Sequence, residues 1–302
     1  MSKETATIPR YRPEESLTAD QIYWLNNPDW HKHFSEFYYN EYYRPEADGT
    51  IPEDEQFTLS IFANTLRNAN LPTDRELHAL VIGPGVTFDD AALLVPYAST
   101  ITLGEYSSGN RDELLKWQKE DPTANDWDPY FKQILEYEGK KATPAAIAER
   151  GSLLRQKIRA IVPLDATQTN PLGEENRGAF DIVIAPYCFE SATDKVDTWR
   201  QMQRNGLSLA KPGALVLEAA LSDCPYYIVG GRPYPGASIN RTHIASEFGK
   251  ANMTDTSVQV GYFPTHRDLG YDKVVVASGR MPIQSQVRQV PLLYPYARPI
   301  GA

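Results

Sequence analysis

Hydrophobic and polar positions along the middle of the chain follow two different periods, and each period predicts one type of element. Short apolar runs predict buried strands, which we place at His78–Ile82, Thr100–Gly104, Ile158–Pro163, Asp181–Ala185, Ala214–Leu217, Ser257–Gly261 and Lys273–Ala277. Helical spacing occurs between several of these runs, at Asp89–Tyr97, Arg111–Glu120, Asp194–Leu209 and Arg241–Lys250. Because strands that alternate with helices form parallel βαβ units, the pattern predicts an α/β fold. We expect a doubly wound, Rossmann-like, mostly parallel seven-stranded sheet with helices on both faces.

A dense group of aromatic residues precedes the first predicted strand. Its members are Tyr23, Trp24, Trp30, Phe34, Phe37, Tyr38, Tyr39, Tyr42 and Tyr43. Pairs spaced four apart, such as Tyr38 with Tyr42, share one face of a helix. After the polar break RPEADGTIPEDE, a second helical stripe runs from Gln56 to Asn68. We interpret residues 21–68 as an N-terminal helical aromatic lid, and a helix packed on the core is the alternative for the tyrosines.

The pattern also sets the boundaries of the domain. Residues 1–20 are polar and contain prolines, which predicts a flexible lead-in. Residues 21–280 are predicted to form one domain with the lid at its start. Residues 281–302 form a proline-rich C-terminal extension that we expect to pack along a surface or a partner subunit. Between residues 126 and 154 the sequence fits a hairpin, a helix pair or both.

Composition and charge narrow the classes of partner. The 302-residue chain has a formal net charge of −9 and no long basic run, which argues against nucleic acid and favours a neutral or cationic small molecule. Cys188 and Cys224 are the only cysteines and are not spaced as a zinc site, so we predict neither a disulfide scaffold nor a metal site. No stretch resembles a signal peptide or has the ~20 apolar residues of a membrane span. We expect a cytoplasmic monomer or homodimer.

A glycine turn follows the first predicted strand. The run HALVIGPG (78–85) leads a buried strand into Gly83 and Gly85, where missing side chains let the main chain approach a ligand or simply make a tight turn. Glu105 ends the second strand and can accept hydrogen bonds from both hydroxyls of a ribose. A dinucleotide is disfavoured because the position of a third glycine holds Phe88. Asp165, after the third strand, can meet the exocyclic amine of an adenine.

Several segments resemble one methyltransferase family. They are YYNEYY (38–43), EYSSGNRDELLKWQKEDPTANDWDP (105–129), LDATQTNPLG (164–173), and KPGALVLEAAL (211–221) followed by Tyr226 and Tyr227. From about Tyr38 to Arg280 the chain resembles the nicotinamide, phenylethanolamine and thioether or indolethylamine methyltransferases, which are class I S-adenosylmethionine-dependent enzymes. The resemblance implies S-adenosyl-L-methionine as cofactor, S-adenosyl-L-homocysteine as product, and a small-molecule amine or related heteroatom acceptor as substrate.

The resemblance also implies a set of cofactor-binding residues. These are Tyr38, Tyr43, Gly83, Pro84, Gly85, Thr87, Glu105, Tyr106, Asn110, Asp165, Ala166 and Pro186. The two tyrosines would close over the cofactor, and the residues from 83 to 87 would line its methionine part. Those from 105 to 110 would hold the ribose, and those at 165 and 166 would flank the adenine. Two positions depart from the family pattern, because Val81 replaces an acid and Asp89 replaces a tyrosine.

For the substrate, the resemblance points to Glu190, just beyond the fourth strand, where the phenylethanolamine enzyme has an acid that faces the amine. A carboxylate there can bind an ammonium and take its proton, directly or through water. A helix N-cap and a solvated acid are the alternatives. Tyr227 is implied as a substrate wall, or else is a core aromatic, and Tyr38 is expected to contact cofactor and substrate alike. An aspartate of the nicotinamide enzyme corresponds to Ala220, so nicotinamide is not the expected acceptor, and Asp223 is a candidate replacement.

The sequence therefore predicts N-methylation of a small-molecule amine by in-line methyl transfer. Two other classes stay open. Val81 and Asp89 motivate a catalytically inactive protein that binds the cofactor as a partner or regulatory subunit, and a nicotinamide-dependent oxidoreductase is the third. His31 and His33 are expected to be solvated or structural, and Cys188 is expected to be a small buried hydrophobe rather than a nucleophile.

Overall fold

The computed structural model describes residues 33–283 of the chain. Its helices are α1 (Phe34–Tyr42), α2 (Glu53–Asn68), α3 (Asp89–Leu93), α4 (Ser108–Gln118), α5 (Asp128–Tyr137), α6 (Pro144–Lys157), α7 (Val196–Leu207) and α8 (Arg241–Lys250). Its strands are β1 (His78–Ile82), β2 (Thr100–Gly104), β3 (Ile158–Val162), β4 (Phe180–Pro186), β5 (Ala210–Leu221), β6 (Tyr226–Val229), β7 (Arg232–Pro235), β8 (Thr254–Tyr262) and β9 (Lys273–Arg280). The expectations for the lead-in, for Tyr23, Trp24, Trp30 and His31, and for residues 284–302 lie outside the described residues. In the described part, none of the helices is both long and apolar enough to cross a bilayer.

Seven of the strands form one sheet in the order β3-β2-β1-β4-β5-β9-β8, and β6 and β7 pair as a separate hairpin. The pairs from β3 across to β5 are parallel, whereas β9 is antiparallel to both of its neighbours. The predicted mostly parallel seven-stranded sheet is confirmed. Strand order reverses at β1, which pairs with β2 on one side and β4 on the other. In open α/β sheets a crevice forms at such a point, outside the carboxyl ends of the strands.

Alternation along the central strands explains why helices cover both faces of the sheet. In β1, Ala79 and Val81 belong to one hydrophobic core, and Leu80 and Ile82 belong to the other. The first core contains residues of α2, α3, α5 and α6, and the second contains residues of α7 and α8. Because both faces are buried, these strands appear in the sequence as nearly continuous apolar runs.

The segment left open between residues 126 and 154 forms a helix pair, α5 and α6. Pro129 and Pro144 lie in the first turns of these helices, where an N–H group has no partner within the helix. The hydroxyl of Thr143 accepts a hydrogen bond from the Ala146 amide and caps α6. Tyr130 and Phe131 are buried in the hydrophobic core that also contains Ala79 and Val81 of β1. Of the three alternatives, the structure therefore shows the helix pair, and its apolar face packs on the sheet.

One helix is four residues shorter than predicted, and one hairpin was not predicted. Helix α3 ends at Leu93 instead of Tyr97, because Pro96 disfavours the helical conformation just before it and has no N–H to continue the hydrogen bonding. The β6–β7 hairpin was not predicted. Gly230 and Gly231 form its turn with φ of +57° and +78°, the left-handed values that a two-residue hairpin turn of type I′ requires.

A buried acid lies in the middle of β5. Glu218 is 2% exposed, and its carboxyl accepts a hydrogen bond of 2.7 Å from the side-chain amide of Gln203 on α7. Among the residues that the structure describes, it makes no ion pair with Lys, Arg or His. Burial raises the pKa of Glu218 to about 8. The carboxyl is therefore mostly protonated at neutral pH, and its ionisation opposes folding.

This burial predicts a pH-dependent gain in stability for Glu218→Gln. In the unfolded chain the carboxyl has its ordinary pKa of about 4.5, so the folded state binds more protons between about pH 4.5 and 8. The proton that the folded state binds therefore stabilises the fold at low pH, and this stabilisation is lost as the pH rises through this window. We expect the free energy of unfolding of the variant, relative to wild type, to increase by roughly 2–5 kcal/mol between about pH 5 and pH 9. Urea unfolding at the two pH values measures it.

The exposed acid Glu175 provides the matched control, and Glu175→Gln is expected to show no such change with pH. A difference between Glu218→Gln and wild type that is the same at both pH values would contradict the assignment of a raised pKa.

Candidate active site

A cavity of about 570 Å³ opens at the carboxyl ends of the parallel strands, in the crevice expected from the strand order. Its volume is within the range of small-molecule sites. The predicted site residues that line it are Tyr38, Tyr43, Gly83, Gly85, Glu105, Tyr106, Asn110, Asp165, Ala166 and Tyr227. The remaining predicted residues, Pro84, Thr87, Pro186 and Glu190, do not line the cavity. The structure thus brings the ends of β1, β2 and β3 to one space.

The glycine turn after β1 is enclosed on two sides. Gly83 and Gly85 have φ of +65° and +64°, which favour glycine. A Cβ atom on Gly83 would lie 2.3 Å from the sulfur of Cys188, and one on Gly85 would lie 3.0 Å from the ring of Tyr38. The turn therefore needs glycine both for its backbone conformation and for the close approach of its neighbours.

Glu105 connects the turn to the end of β2. Its Oε2 accepts a hydrogen bond of 2.9 Å from the Gly85 amide, and its Oε1 accepts one of 2.7 Å from the Ser107 amide and one of 3.3 Å from the Asn110 side chain. Burial raises the pKa of Glu105, whereas these donors lower it. Of the four acceptor positions of a carboxylate, three are used, so one on Oε2 is free. That position and the long bond from Asn110 are available to a ligand's hydroxyl groups.

Asp165 lies in the turn after β3. Its Oδ1 accepts from the amide and the hydroxyl of Thr167, and its Oδ2 accepts from the Gln168 side chain at 3.1 Å. The Thr167 hydroxyl and these other donors lower the pKa of Asp165, so it is ionised at neutral pH. Ala166 beside it is buried and is fixed by the Asn205 side chain, which donates to its carbonyl at 2.8 Å.

Helix α1 and the β6–β7 hairpin cover the cavity, and we call these two elements the roof. Tyr42 donates from its hydroxyl to the Ile228 carbonyl at 2.6 Å, and Phe34 contacts Tyr234 edge to face at 5.3 Å. At the other end of α1, Ser35 donates to the Asn110 side chain at 2.8 Å. The described part of the predicted lid therefore lies over the site, joined to the hairpin on one side and to the β2 loop on the other.

Tyrosines form the inner surface of the roof. The rings of Tyr38 and Tyr43 meet at 5.3 Å and their hydroxyls lie 3.2 Å apart, while Tyr227 stacks on Tyr234 at 5.5 Å. Burial raises the pKa of Tyr38, Tyr43 and Tyr227 above the ordinary value. The hydroxyls are therefore uncharged donors at neutral pH, and Tyr227 forms a wall of the cavity instead of lying in the core.

Three of the predicted residues that do not line the cavity shape the loops behind it. Thr87 donates from its hydroxyl and its amide to the Pro84 carbonyl, at 2.9 and 3.1 Å, and closes the turn. Pro186 is buried at the end of β4, paired in register with Ala219 of β5.

Glu190 lies behind the cavity wall. It begins the short 3₁₀ helix Glu190–Ala192, is 2% exposed, and accepts the Leu221 amide on Oε1 at 2.9 Å. It therefore differs from both alternatives, the cap of α7 and a solvated acid. Burial raises the pKa of Glu190 to about 7. Ser191 does line the cavity, and its hydroxyl donates to Glu190 at 3.4 Å.

The cavity also has acids that the sequence did not predict. Asp54 and Glu55, at the start of α2, are each 4% exposed and line it, and Asp89 and Asp90 are buried next to them. We call these four residues the acid cluster. Burial and the neighbouring carboxylates raise the pKa of Glu55 well above its usual range. In residues 33–283, no three His, Cys, Asp or Glu side chains are arranged to hold a metal ion.

The sequence contained a signal for these acids. Asp54 and Glu55 belong to the polar break RPEADGTIPEDE, but Phe62 stands eight and seven residues after them, on the same helix face. Extending the apolar stripe of α2 backwards by two turns therefore places them in the interior. Tyr187 and Tyr271, which also line the cavity, were not predicted either and stand at strand ends.

The remaining candidates lie outside the site or have a packing role. Asp223 is exposed, pairs with Lys273 at 3.3 Å and does not line the cavity, so it does not replace the acid that Ala220 lacks. His33 lies 3.3 Å from Glu36 on α1. Cys188 packs against Gly83, and burial raises the pKa of its thiol, so the thiolate that a nucleophile requires is disfavoured.

Comparison with known proteins identifies one family. A family model described as NNMT/PNMT/TEMT family matches residues 23–274. Indolethylamine N-methyltransferase of Oryctolagus cuniculus is 30% identical over 219 residues, which cover 72% of this chain and 81% of that protein. Nicotinamide N-methyltransferase of Homo sapiens is 28% identical over 173 residues, covering 57% and 64%. Phenylethanolamine N-methyltransferase of Sus scrofa is 22% identical over 238 residues, covering 78% and 82%.

The enclosure of the glycine turn predicts that Gly83→Ala destabilises the fold more than a left-handed backbone alone requires. Gly139 has a φ of +73°, and no atom lies within 4 Å of the place that a Cβ would take there, so Gly139→Ala isolates the backbone contribution of about 1–2 kcal/mol. We expect Gly83→Ala to lose that amount and roughly 1–3 kcal/mol more, because its Cβ meets Cys188. Urea unfolding compares the two. Equal losses would show that the turn is not tightly packed.

Proposed function

The chain belongs to the NNMT/PNMT/TEMT family and is an S-adenosylmethionine-dependent N-methyltransferase, and we propose that it methylates a small-molecule amine in the cavity beneath the roof. The observation that carries the proposal is that the turn at Gly83 to Gly85, the carboxylate of Glu105 and the carboxylate of Asp165 all line this cavity. Family membership gives no support to an inactive protein or to a nicotinamide-dependent oxidoreductase. Location in the cytoplasm, a monomer or homodimer, and the absence of nucleic-acid partners stay predictions.

The donor and acceptor groups of the cavity fit the cofactor. Glu105 has a free acceptor position for a ribose hydroxyl, and Asp165 presents an ionised carboxylate to the amine of an adenine. Gly83 and Gly85 line the cavity and, having no side chains, offer it only main-chain atoms. S-adenosylmethionine, when bound, supplies a methyl group on a positively charged sulfur. Tyr106, 73% exposed at the rim, and Asn110 complete the ribose side.

The roof orients the reactants and excludes water. Methyl transfer is an in-line displacement, so catalysis depends on alignment more than on reacting side chains. The faces of Tyr38 and Tyr43 attract a cation by roughly 0.5–2 kcal/mol each, because aromatic faces are electronegative. Their hydroxyls are un-ionised, so they add dipoles without adding charge. Tyr227 and Tyr234 form the wall against which the apolar part of the acceptor packs.

Glu190 is proposed to take the proton that the acceptor nitrogen loses. It does not line the cavity, so the proton passes through the hydroxyl of Ser191, which donates to Glu190 and lines the cavity. A base with a pKa of about 7 is matched to neutral pH. Burial is the main cause of this raised pKa, and hydrogen bonds from the Leu221 amide and the Ser191 hydroxyl lower it.

The ribose assignment predicts that Glu105→Ala weakens binding of S-adenosylhomocysteine at least tenfold, because the carboxylate and the loop that it holds are both lost. Isothermal calorimetry measures the affinity, and NAD is expected not to bind. Asp197→Ala, at an exposed position on α7, is the control and should bind like wild type. Unchanged affinity of Glu105→Ala would remove the ribose assignment.

The role of Glu190 predicts that Glu190→Gln lowers kcat at least tenfold and leaves the affinity for S-adenosylhomocysteine within twofold. The amide still accepts from Leu221, so the wall is retained. In wild type, kcat should rise with pH through about 7 as the carboxyl ionises, and the variant should lack this rise. Amine-dependent turnover across pH measures both.

Ser191→Ala is expected to lower kcat in the same direction, since it removes the hydroxyl between cavity and base. Glu175→Gln, which changes an exposed acid that does not line the cavity, is the control and should keep the wild-type pH profile. A Glu190→Gln enzyme with the wild-type profile would show that the acid is structural.

A further inference from the structure

We infer that Asp54, together with Glu55, binds a positively charged group of the methyl acceptor and makes the enzyme selective for cationic acceptors. The inference rests on the proposed function. It names a substrate-recognition site on α2, several strands away from the residues that are predicted to flank the adenine. Asp165 follows β3, at one edge of the sheet, whereas Asp54 contacts Tyr271, which lies just before β9.

Asp54 has one carboxyl oxygen that lacks a hydrogen-bond partner. Its Oδ2 accepts a hydrogen bond of 2.7 Å from the Tyr271 hydroxyl, and its Oδ1 has no hydrogen-bond partner although it is buried. Only 4% of the residue is exposed, and that residue lines the cavity. A buried acceptor without a partner is unfavourable. A ligand that donates a hydrogen bond from within the cavity would supply the missing partner.

The acid cluster has little compensating positive charge. Among the described residues, the acid cluster makes one ion pair, in which the imidazole of His266 lies 3.5 Å from Asp54. No Lys or Arg pairs with any of the four acids in that part of the chain, although exposed acids elsewhere have such partners. Burial raises the pKa of all four carboxyls, so their ionised forms are unfavourable without a counter-ion. A bound cation would supply that counter-ion.

The walls of the cavity around these acids are aromatic. Tyr42, Tyr187 and Tyr271 line it along with the two acids, and no Lys, Arg or His belongs to its lining in the described chain. Aromatic faces and carboxylates together form the environment that ammonium groups prefer. A carboxylate or phosphate on the acceptor would find no partner there. The chemical class is therefore a small organic cation whose apolar part packs on the tyrosines.

The acids do not simply serve the amino group of the cofactor. That group is on the methionine part, which the resemblance places against the turn at Gly83 to Gly85, whereas Asp54 is held by Tyr271 and His266 near the start of β9. Glu55 shares a hydrogen bond with Asp89, so within the acid cluster it lies between the glycine turn and Asp54. Asp54 is consequently the residue whose change separates acceptor binding from cofactor binding.

The experiment measures binding to the full chain with saturating S-adenosylhomocysteine. The probes are matched pairs of an amine and its alcohol: benzylamine and benzyl alcohol, phenethylamine and phenethyl alcohol, and hexylamine and hexanol. In wild type at neutral pH we expect at least one amine to bind tenfold or more tightly than its alcohol. Asp54→Asn should weaken that amine at least tenfold and change its alcohol and S-adenosylhomocysteine by less than twofold. Glu55→Gln provides a second variant with the same expected direction for the amine.

Glu218→Gln is the matched control, because Glu218 is buried but neither belongs to the acid cluster nor lines the cavity, and it should leave amine binding within twofold of wild type. The inference is wrong if no amine exceeds its alcohol in wild type, or if Asp54→Asn weakens S-adenosylhomocysteine as much as the amine. Failure of the proposed function is a separate result, since wild type would then not bind S-adenosylhomocysteine at all.

Discussion

The hydrogen bond from the Gly85 amide to the carboxylate of Glu105 is the contact on which the site depends. It joins the turn after β1 to the end of β2, next to the main-chain hydrogen bond of 2.7 Å from the Gly83 amide to the Gly104 carbonyl. The same carboxylate fixes the start of α4 through Ser107 and Asn110, and the Glu105 carbonyl accepts from Leu164, next to Asp165. One residue thus joins three strand ends, two through its side chain and the third through its main-chain carbonyl. A ribose placed on Glu105 would find the adenine and methionine sides already arranged.

The roof extends this network across the cavity. Ser35 bonds to Asn110, which in turn bonds to Glu105, so the start of α1 is connected to the same carboxylate. The other end of α1 is held by the hairpin, where Tyr42 bonds to Ile228 and the Gly230 amide bonds to Glu41. The tyrosine faces are therefore positioned by contacts with both sides of the cavity. Because the faces of these rings attract a sulfonium while their hydroxyls stay uncharged at neutral pH, the roof can align the reactants without burying charges of its own.

Periodicity predicted the sheet well because both of its faces are buried. All seven strands of the main sheet lie where apolar runs placed them, and α8 has the predicted bounds, Arg241–Lys250. The hairpin was missed because four-residue strands give a weak pattern, although the Gly230-Gly231 pair marked its turn. Gly83, Gly85, Glu105 and Asp165 could be predicted because each follows a strand, and parallel strands end on the same edge. Tyr106, Asn110 and Ala166 were implied by the family resemblance. Asp54 and Glu55 were missed because acids at the start of a helix usually face solvent and favour its dipole, although the apolar stripe of α2, extended backwards, places them on the buried face.

The buried acids link stability to function. Asp54, Glu55, Glu190 and Glu218 are all nearly inaccessible, and burial raises the pKa of each, so each opposes folding when ionised. Glu218 does not line the cavity, so no ligand there relieves its burial. Asp54 and Glu55 are different, because the cavity gives a cation access to them. A ligand that binds only the folded state stabilises it by mass action. A cation that binds in the cavity therefore relieves part of the unfavourable burial of the acid cluster. In this way, residues that destabilise the unliganded protein can give selectivity for a charged ligand.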